Sequence, residues 1–250
     1  MTAINLTRLK RSVRRLTGER VYLMLSGIKV RVRHWYRMAI GLDPRIVARH
    51  HAAIEKHGEW YLCPTPLTRE SIVYSLGIGT DVTFDLSVID RFGTKVFAFD
   101  PTPTATAWIR GQTLPPEFHA YEYGVADFDG IAEFVRPEDP ENPSFSYRGE
   151  SAERSGATRC EVRRLRTLME MLGHTEIDVL KMDIEGAEYG VIENLLAEGV
   201  RVHQLLVEFH HRKPWIGVEK TVAAAESLSR AGFRLFHISP AGEEWAFIRE

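Results

Sequence analysis

FRLFHIS (233–239) and EWAFIR (244–249) are two short apolar and aromatic runs, separated by the turn Pro-Ala-Gly-Glu. Their composition predicts two β-strands. A parallel pair would need a crossover connection of about a dozen residues or more, and this turn is far too short for one. The chain is therefore predicted to end in an antiparallel hairpin, which restricts the possible folds more than any other segment.

Upstream of the hairpin, apolar runs alternate with segments of helical spacing. Predicted strands cover 71–79, 95–101, 119–127, 177–183 and 203–210, with an edge strand at 131–137. Predicted helices cover 80–93, 104–111, 186–199 and 218–232, and residues 161–173 begin extended and continue as a helix. Such alternation is typical of a parallel sheet covered by helices on both faces. The sequence therefore predicts an α/β fold whose mostly parallel, seven-stranded sheet ends in the hairpin.

The segment before this alternation is predicted to be a separate part of the chain. Residues 1–66 are predicted to form a basic, largely helical N-terminal extension, and residues 67–250 the main domain. Apolar residues among the arginines of 4–25 indicate one amphipathic helix. VARHHAAIEKHG (47–58) indicates a second, which Gly58 would end.

The charge is distributed unevenly along the chain. Residues 1–60 contain 13 Lys and Arg against 4 Asp and Glu, whereas the remainder contains 19 against 30. The basic residues are densest from Arg8 to Arg37. Such a segment can contact an anionic membrane surface, nucleic acid or an acidic partner. A solvated helical face, or docking on the acidic body of the same or a neighbouring subunit, is the favoured interpretation, because charge runs usually mark solvated faces.

The composition excludes several classes of protein. A chain that is 44% hydrophobic and 26% charged is too apolar to be disordered. Its two cysteines, Cys63 and Cys160, cannot form a disulfide framework or a cysteine-rich zinc site, so a reducing compartment is expected. No apolar run approaches the ~20 residues of a membrane-spanning helix, and the basic start lacks the apolar core of a secretory signal. These observations predict a cytoplasmic protein.

The first two strands of the sheet end in residues suited to a nucleoside ligand. Gly77 and Gly79 let the backbone turn tightly and approach a ligand closely. Asp100 closes the next strand, where a carboxylate can accept both hydrogen bonds of a ribose diol; the alternative is a turn residue before a proline. Val82 stands where a dinucleotide-binding fingerprint has its third glycine. The pattern therefore predicts an adenosine-containing ligand rather than a dinucleotide.

Two further strand ends carry acids. GVAD (124–127) offers Asp127 to an adenine edge, although a plain loop aspartate is an equally good interpretation. In KMDIEGAE (181–188), Asp183 ends an apolar strand at the same edge of the sheet, which favours a functional role. Lys181 points to the same face and is expected to pair with Asp183, whereas Glu188 is predicted to complement the dipole of the helix that it begins.

Glu208, His210 and His211 follow the fifth strand. A histidine is the side chain best suited to take a hydroxyl proton near neutral pH. Adjacent residues of an extended chain point in opposite directions, so at most one of the two histidines is expected to face the ligand. The alternative is a pair of surface histidines. Glu208, a histidine and Asp183 are also chemically able to ligate a divalent metal, but their spacing matches no metal motif and no metal is predicted.

Three segments resemble the FkbM-type S-adenosylmethionine-dependent methyltransferases. They are VYSLGIGTDVTFDLSVIDRFGTKVFAFDPTP (73–103), IDVLKMDIEGAEYGVIENLL (177–196) and LLVEFHH (205–211), and the similarity covers roughly residues 70–249. A doubly wound sheet that ends in an antiparallel hairpin is also the layout of Rossmann-like methyltransferases. The resemblance implies that fold, with S-adenosyl-L-methionine as cofactor and transfer of its methyl group to a hydroxyl of a sugar or polyketide-like metabolite.

The resemblance also implies roles for individual residues. Gly77 and Gly79 would line the methionine end of the cofactor, Asp100 would hold its ribose, and Asp183 would sit beside the sulfonium or the acceptor. The chain departs from the family at Ser75, where an acid usually ends the first strand, and at Asp81, where the loop usually has another glycine; Asp81 is a candidate to supply the missing charge.

The leading hypothesis is an O-methyltransferase with His210 or His211 as the base and Asp183 orienting the acceptor. The polar segment 138–160 is predicted to be a loop or lid over the acceptor. Because of Ser75 and Asp81, a catalytically inactive binding or scaffold protein is the alternative. A nucleic-acid methyltransferase that grips its substrate with the basic segment is a third hypothesis, disfavoured by the acidic body.

Overall fold

The computed structural model describes residues 19–135, 146–147 and 157–249. In chain order the elements are α1 (Glu19–Ala39), β1 (Glu55–His57), β2 (Trp60–Leu62), β3 (Ile72–Leu76), α2 (Thr83–Phe92), β4 (Lys95–Phe99), α3 (Pro103–Arg110), β5 (Phe118–Tyr121), β6 (Gly124–Val125), β7 (Gly130–Val135), β8 (Ser146–Tyr147), β9 (Ala157–Arg163), α4 (Leu165–Leu172), β10 (Ile177–Met182), α5 (Glu188–Ala197), β11 (Val202–Glu208), α6 (Val218–Arg230), β12 (Phe233–Ile238) and β13 (Glu244–Arg249).

The central sheet has seven strands in the order β12-β13-β11-β10-β3-β4-β5. All neighbouring strands are parallel except β13, which runs antiparallel to both β11 and β12. The predicted α/β fold and its terminal hairpin are therefore confirmed. The chain adds β4 and then β5 on one side of β3. It later adds β10, β11 and the final hairpin on the other side of β3. This reversal makes the boundary between β3 and β10 the topological switch point, where open parallel sheets bind ligands.

The central strands are mostly apolar because both faces of the sheet are covered. Tyr74 and Leu76 of β3 point to the face packed by α4, α5 and α6, and Val73 points to the opposite face, packed by α2. All three are completely buried. The only polar residue in β3, Ser75, is also completely buried, at the end of the strand that opens the ligand-binding edge.

The predicted helix over 47–58 is wrong. Glu55–His57 instead forms β1, which pairs antiparallel with β2 through a two-residue turn. Gly58 begins that turn with φ +58°, and a Cβ there would lie 2.8 Å from the Thr83 hydroxyl. Trp60 and Leu62 of β2 are buried in the core on the α2 side of the sheet. Burial of these two side chains stabilises the hairpin, and this outweighs the helix that the local spacing of apolar residues favours.

A second, four-stranded sheet has the order β6-β9-β7-β8. The strand predicted over 119–127 is divided between the two sheets, as β5 and β6. The strand predicted as an edge, β7, lies between β8 and β9. Part of the loop predicted over 138–160 is strand β9, which buries Cys160 and Val162 against β7; residues 136–145 and 148–156 lie outside the described residues.

The N-terminal part contains one long described helix. Of the helix predicted over 4–25, residues 4–18 lie outside the described residues, and 19–25 belong to α1, which continues to Ala39. In the described part of the chain, no helix has both the length and the apolar character needed to cross a membrane. The domain boundary after residue 66 stays a prediction. Cys63, on its N-terminal side, exchanges two 2.8 Å hydrogen bonds with the Gln204 side chain of β11.

Candidate active site

A cleft of about 250 Å³ opens at the carboxyl ends of β3, β4 and β10, beside the topological switch point. Its lining comprises Trp60, Gly77, Ile78, Gly79, Thr80, Asp81, Phe99, Asp100, Pro101, Thr102, Gly124, Val125, Phe134, Lys181, Asp183, Ile184, Glu185 and Ala187. Four of the predicted site residues, Gly77, Gly79, Asp100 and Asp183, are therefore brought together from three separate strand ends.

The two glycines of the loop after β3 have different surroundings. Gly77 has φ +74°, and a Cβ there would lie 1.7 Å from the carbonyl oxygen of Asp183. Any side chain at this position would therefore push apart the loops that follow β3 and β10. Gly79 has φ +51°, but no atom lies within 4 Å of where its Cβ would be. Because Gly77 has no side chain, the loops after β3 and β10 can approach each other closely. Gly79 leaves its backbone open to the cleft.

Asp100 joins the loop after β3 to the start of α3. One carboxylate oxygen, Oδ2, accepts hydrogen bonds from the backbone N–H groups of Ile78 (3.1 Å) and Gly79 (2.9 Å). The other, Oδ1, accepts from the backbone N–H of Thr102 (2.9 Å) and from its hydroxyl (2.6 Å). Asp100 is buried yet borders the cleft, so it fixes the loop geometry of the site. Its predicted contact with a ribose stays a prediction.

Asp183 presents its carboxylate to the cleft from the end of β10, with 32% of the side chain exposed. Burial raises the pKa of this carboxyl, while the nearby positive charges of Lys181 and His210 oppose the rise. The Lys181 ammonium donates to the carbonyl oxygen of Gly77 (2.6 Å) and lies 5.1 Å from the centre of the Trp60 ring. Lys181 therefore acts on Asp183 through its charge rather than by the direct ion pair that the sequence predicted.

Glu188 has a larger role than the helix-dipole interaction predicted from its position. The side chain is completely buried and accepts hydrogen bonds from the backbone N–H groups of Ile184 (3.2 Å) and Gly186 (3.0 Å). Its Oε1 also lies 2.7 Å from Nδ1 of His210. The loop that carries Asp183 is therefore built around the Glu188 carboxylate, which also fixes the orientation of the histidine ring.

His210 lies behind Asp183 among carboxylates. Its Nε2 is 3.8 Å from Oδ1 of Asp183 and 3.4 Å from Oε2 of Glu185. Burial would lower the pKa of this histidine, but the charge and hydrogen bond of Glu188, together with the charge of Glu185, outweigh it and raise the pKa to about 9. His210 is thus a cation at neutral pH that balances the surrounding negative charge.

The adjacent His211 points away from this cluster, as expected for neighbouring residues. It is buried, and its Nε2 donates to Oδ1 of Asp43 at 3.2 Å. Burial lowers its pKa to about 4, although Asp43 opposes the shift. Asp127 is also outside the cleft lining: it is exposed and lies against Gly190 of α5, where a Cβ would approach its Oδ2 to 3.0 Å. The described structure therefore does not bring His211 or Asp127 to the cleft.

Glu208 ends β11 next to the same acidic cluster. Burial and then the negative charge of Asp183 raise the pKa of its carboxyl to about 8. A possible set of metal ligands is Asp183, Glu185 and His210, because one potential ligand atom of each lies within 4.8 Å of the other two. The ammonium of Lys213 already forms an ion pair with Glu185, so a protein cation occupies one side of this set.

Asp85 is the acid near Ser75 that the sequence analysis missed. Asp81, the predicted substitute, accepts a hydrogen bond from the N–H of Thr83 (2.8 Å) at the rim of the cleft and so supports the start of α2. Asp85, on the buried face of α2, is close to Ser75 and Lys181; burial raises the pKa of its carboxyl, and both neighbours oppose the rise. The sequence signal for this residue is an acid on the core-facing side of α2, where the other buried residues are apolar.

The charges around the cleft indicate the kind of ligand that fits. Its lining carries the four acids Asp81, Asp100, Asp183 and Glu185, against the single cation Lys181. A negative site repels a pyrophosphate and attracts a ligand that carries positive charge. The charged residues that line the cleft therefore fit a sulfonium- and ammonium-bearing nucleoside such as S-adenosylmethionine better than a dinucleotide.

Two solved structures are similar to this chain at low sequence identity. A Methanococcus jannaschii fibrillarin, a pre-rRNA processing protein, is 11% identical with a TM-score of 0.45, covering 80% of this chain and 84% of that one. An Aeropyrum pernix fibrillarin with natively bound S-adenosyl-L-methionine is 9% identical with a TM-score of 0.39, covering 83% and 85%.

Curated relatives are closer in sequence. A probable methyltransferase-like protein 24 from Rattus norvegicus is 30% identical over 181 residues, covering 68% of this chain and 43% of that protein. The Homo sapiens counterpart is 28% identical over 176 residues, covering 66% and 42%. The chain thus spans less than half the length of these relatives. Residues 64–235 match the family described as Methyltransferase FkbM domain, and the chain belongs to this family.

Proposed function

We propose that this protein transfers a methyl group from S-adenosyl-L-methionine to a hydroxyl group of a small molecule or sugar. The observation that carries the proposal is the acidic, glycine-walled cleft at the switch point of a methyltransferase-family domain. The two cysteines are both free and buried, which is consistent with action in the reducing cytoplasm.

The cleft offers suitable groups for each part of the cofactor. Apolar side chains of Phe99, Val125 and Trp60 provide walls for an adenine ring, and Asp100 is the candidate for the ribose. The open backbone at Gly79 and the carboxylate of Asp183 suit the charged methionine end. When bound, the cofactor supplies an electrophilic methyl group on a positively charged sulfur.

Removal of the acceptor proton is assigned to Asp183, with His210 as a positioning residue. The Asp183 carboxylate borders the cleft and can accept the proton of an acceptor hydroxyl, and burial raises its pKa, which makes it a stronger base. The buried His210 already carries its proton at neutral pH, so its positive charge holds the carboxylate in place rather than taking the proton. Burial and the charge of Asp183 raise the pKa of Glu208 to about 8, so this carboxyl is largely protonated at neutral pH and is not assigned as a proton acceptor. Glu188 keeps the histidine ring in place. General-base assistance of this kind contributes about 10²–10⁴-fold to rate.

The test is a calorimetric titration of the purified protein with S-adenosylmethionine and S-adenosylhomocysteine. We expect both ligands to bind, and Asp100→Ala to weaken binding by about tenfold or more, because loss of one charge-assisted contact and of the loop order costs about 1.5–3 kcal/mol. Asp127→Ala is the matched control: it removes an acid that lies outside the cleft lining, and affinity should be unchanged.

The alternative proposal is a methyltransferase-fold binding or scaffold protein without catalysis. Ser75 and Asp81, which depart from the family pattern, favour it. A folded protein that binds neither ligand would support this alternative and contradict the enzyme proposal. Equal weakening by Asp100→Ala and Asp127→Ala would instead reject the assignment of the cleft as the cofactor site.

A further inference from the structure

Helix α1 carries an exposed stripe of large apolar side chains. Met24, Ile28, Val32 and Trp35, here called the apolar stripe, follow one another at intervals of three or four residues and therefore share one face of the helix. They are 60, 49, 58 and 66% exposed, respectively. Tyr36, on the edge of this face, is 57% exposed. Isolated exposed apolar residues are ordinary, but an aligned set marks an interaction surface.

A different face of α1 attaches the helix to the body of the protein. The completely buried side chain of Asp43 accepts hydrogen bonds from Nδ1 of His34 (2.8 Å) and Nε of Arg37 (2.9 Å) of α1. The same carboxylate accepts from Nε of Arg212 (3.0 Å), which follows β11. The Arg45 guanidinium donates to the last carbonyls of α1. This anchor holds the C-terminal end of the helix while the apolar stripe faces away.

Cationic side chains flank the apolar stripe. By helical spacing, Arg31 lies on one flank and Lys29 on the other, Arg33 lies further round the helix beyond Lys29, and all three are exposed. From Arg8 to Arg37 the sequence contains ten Lys and Arg and one acid, Glu19, although the chain as a whole has a net charge of −2. The segment is therefore complementary to a negatively charged surface.

We propose that α1 lies flat on an anionic membrane surface, with the apolar stripe inserted at the boundary between headgroups and acyl chains. A helix with an apolar face flanked by Lys and Arg is the pattern of interfacial membrane helices. Trp and Tyr are enriched at this depth because their rings have an apolar body and a polar edge. A nucleic acid would use only the charge, and the α1 helix of a second copy would use only the apolar face because its own charge is also positive, whereas an anionic bilayer satisfies both together.

The experiment is flotation of the full chain with vesicles of phosphatidylcholine alone or mixed equally with phosphatidylglycerol. We expect binding to the anionic vesicles and about tenfold less to neutral ones, since both the apolar and the basic face contribute. The double variant Ile28→Ser/Trp35→Ser should lower the bound fraction at least about fivefold. Arg31→Glu/Arg33→Glu should do the same and should abolish the difference between the two vesicle types.

Met171→Ser is the matched control, because Met171 is 55% exposed on α4 of the body and should not alter flotation. Circular dichroism should give the same melting temperature for Ile28→Ser/Trp35→Ser and the parent protein, which separates docking from folding. Absent or lipid-independent flotation would overturn the proposal. If the parent protein does not float but dimerises in a concentration-dependent way, and Ile28→Ser/Trp35→Ser abolishes the dimer, the apolar stripe binds a second copy of this chain instead. If the protein instead binds RNA or DNA in a salt-dependent way, and Arg31→Glu/Arg33→Glu abolishes this binding while Ile28→Ser/Trp35→Ser keeps it, the basic face of α1 binds nucleic acid.

Discussion

Glu188 determines the protonation state of His210 at the candidate active site. The carboxylate is completely buried and pairs with Nδ1 of the histidine at 2.7 Å, and its charge is the largest of the contributions that raise the histidine pKa against the effect of burial. Because Glu188 also accepts from two backbone N–H groups of the loop that carries Asp183, one side chain sets both the charge and the shape of the site.

We expect Glu188→Gln to lower the His210 pKa from about 9 to near or below the ~6.5 of an unperturbed histidine, because burial remains after the charge is gone. The readout is an NMR titration of the His210 ring. Since the folded-state pKa is raised, the stabilisation from the pair is complete below pH ~6.5 and is lost as the pH rises through about 9. Glu193→Gln, an exposed change on the same helix, should leave the titration unchanged, and an unchanged His210 pKa in Glu188→Gln would contradict this assignment.

At the scale of secondary-structure elements, α1 depends on the Asp43 anchor. Burial would raise the pKa of this carboxyl, but hydrogen bonds from Arg212, Arg37 and His34 hold it well below the ordinary range. Arg212 and His211 follow β11 directly, so the anchor connects α1 to the strand that also carries Glu208 and leads to His210. The orientation of the helix and the ordering of this strand end are therefore linked.

Asp43→Asn should destabilise the protein by about 3 kcal/mol at pH 7, because it leaves buried cationic groups without their counter-charge. The depressed pKa means that the carboxylate contributes stability above the unfolded-state value of ~3.9 and that this contribution is lost as the pH falls further. Urea unfolding at pH 7 and pH 3 should therefore show a difference between parent and variant that shrinks at the lower pH. Asp90→Asn, an exposed change on α2, is the control; a variant as stable as that control would refute the anchor.

At the scale of the whole molecule, residues before the predicted boundary pack against the central sheet and are hydrogen-bonded to it. The Gln204 side chain on β11 donates to the carbonyl and accepts from the N–H of Cys63, both at 2.8 Å, across 141 residues of sequence. Trp60 and Leu62 are buried in the same region, and Trp60 also borders the cleft. The β1–β2 hairpin thus contributes Trp60 and Leu62 to the core on the α2 side of the central sheet.

Gln204→Ala should lower the free energy of unfolding by about 2–4 kcal/mol, because it leaves both backbone groups of Cys63 buried and unpaired. The exposed neighbour His203 supplies the control His203→Ala, which should change stability by less than about 0.5 kcal/mol. Chemical unfolding followed by tryptophan fluorescence measures both. Equal stability of the two variants would mean that the hairpin is only loosely attached to the sheet.

The positions of the main strands along the chain and their parallel or antiparallel direction could be predicted from local patterns. Strand and helix periods alternate from residue 71 to 232, and the short turn at 240–243 forces the final pair to be antiparallel. Parallel strands bring their carboxyl ends to one edge, so Gly77, Asp100 and Asp183 could be assigned to one site without coordinates. These inferences hold because they depend on spacing and connection length, which are properties of the chain alone.

The remaining features depend on contacts between residues far apart in sequence. The hairpin at 55–62 forms because its side chains are buried against a sheet that appears only later in the chain, although the local spacing favours a helix. His210 differs from His211 through partners on other elements: Glu188 of α5 for the first and Asp43 beyond α1 for the second. Burial and electrostatic pairing act through space rather than along the sequence, so only the folded chain could assign these residues their roles.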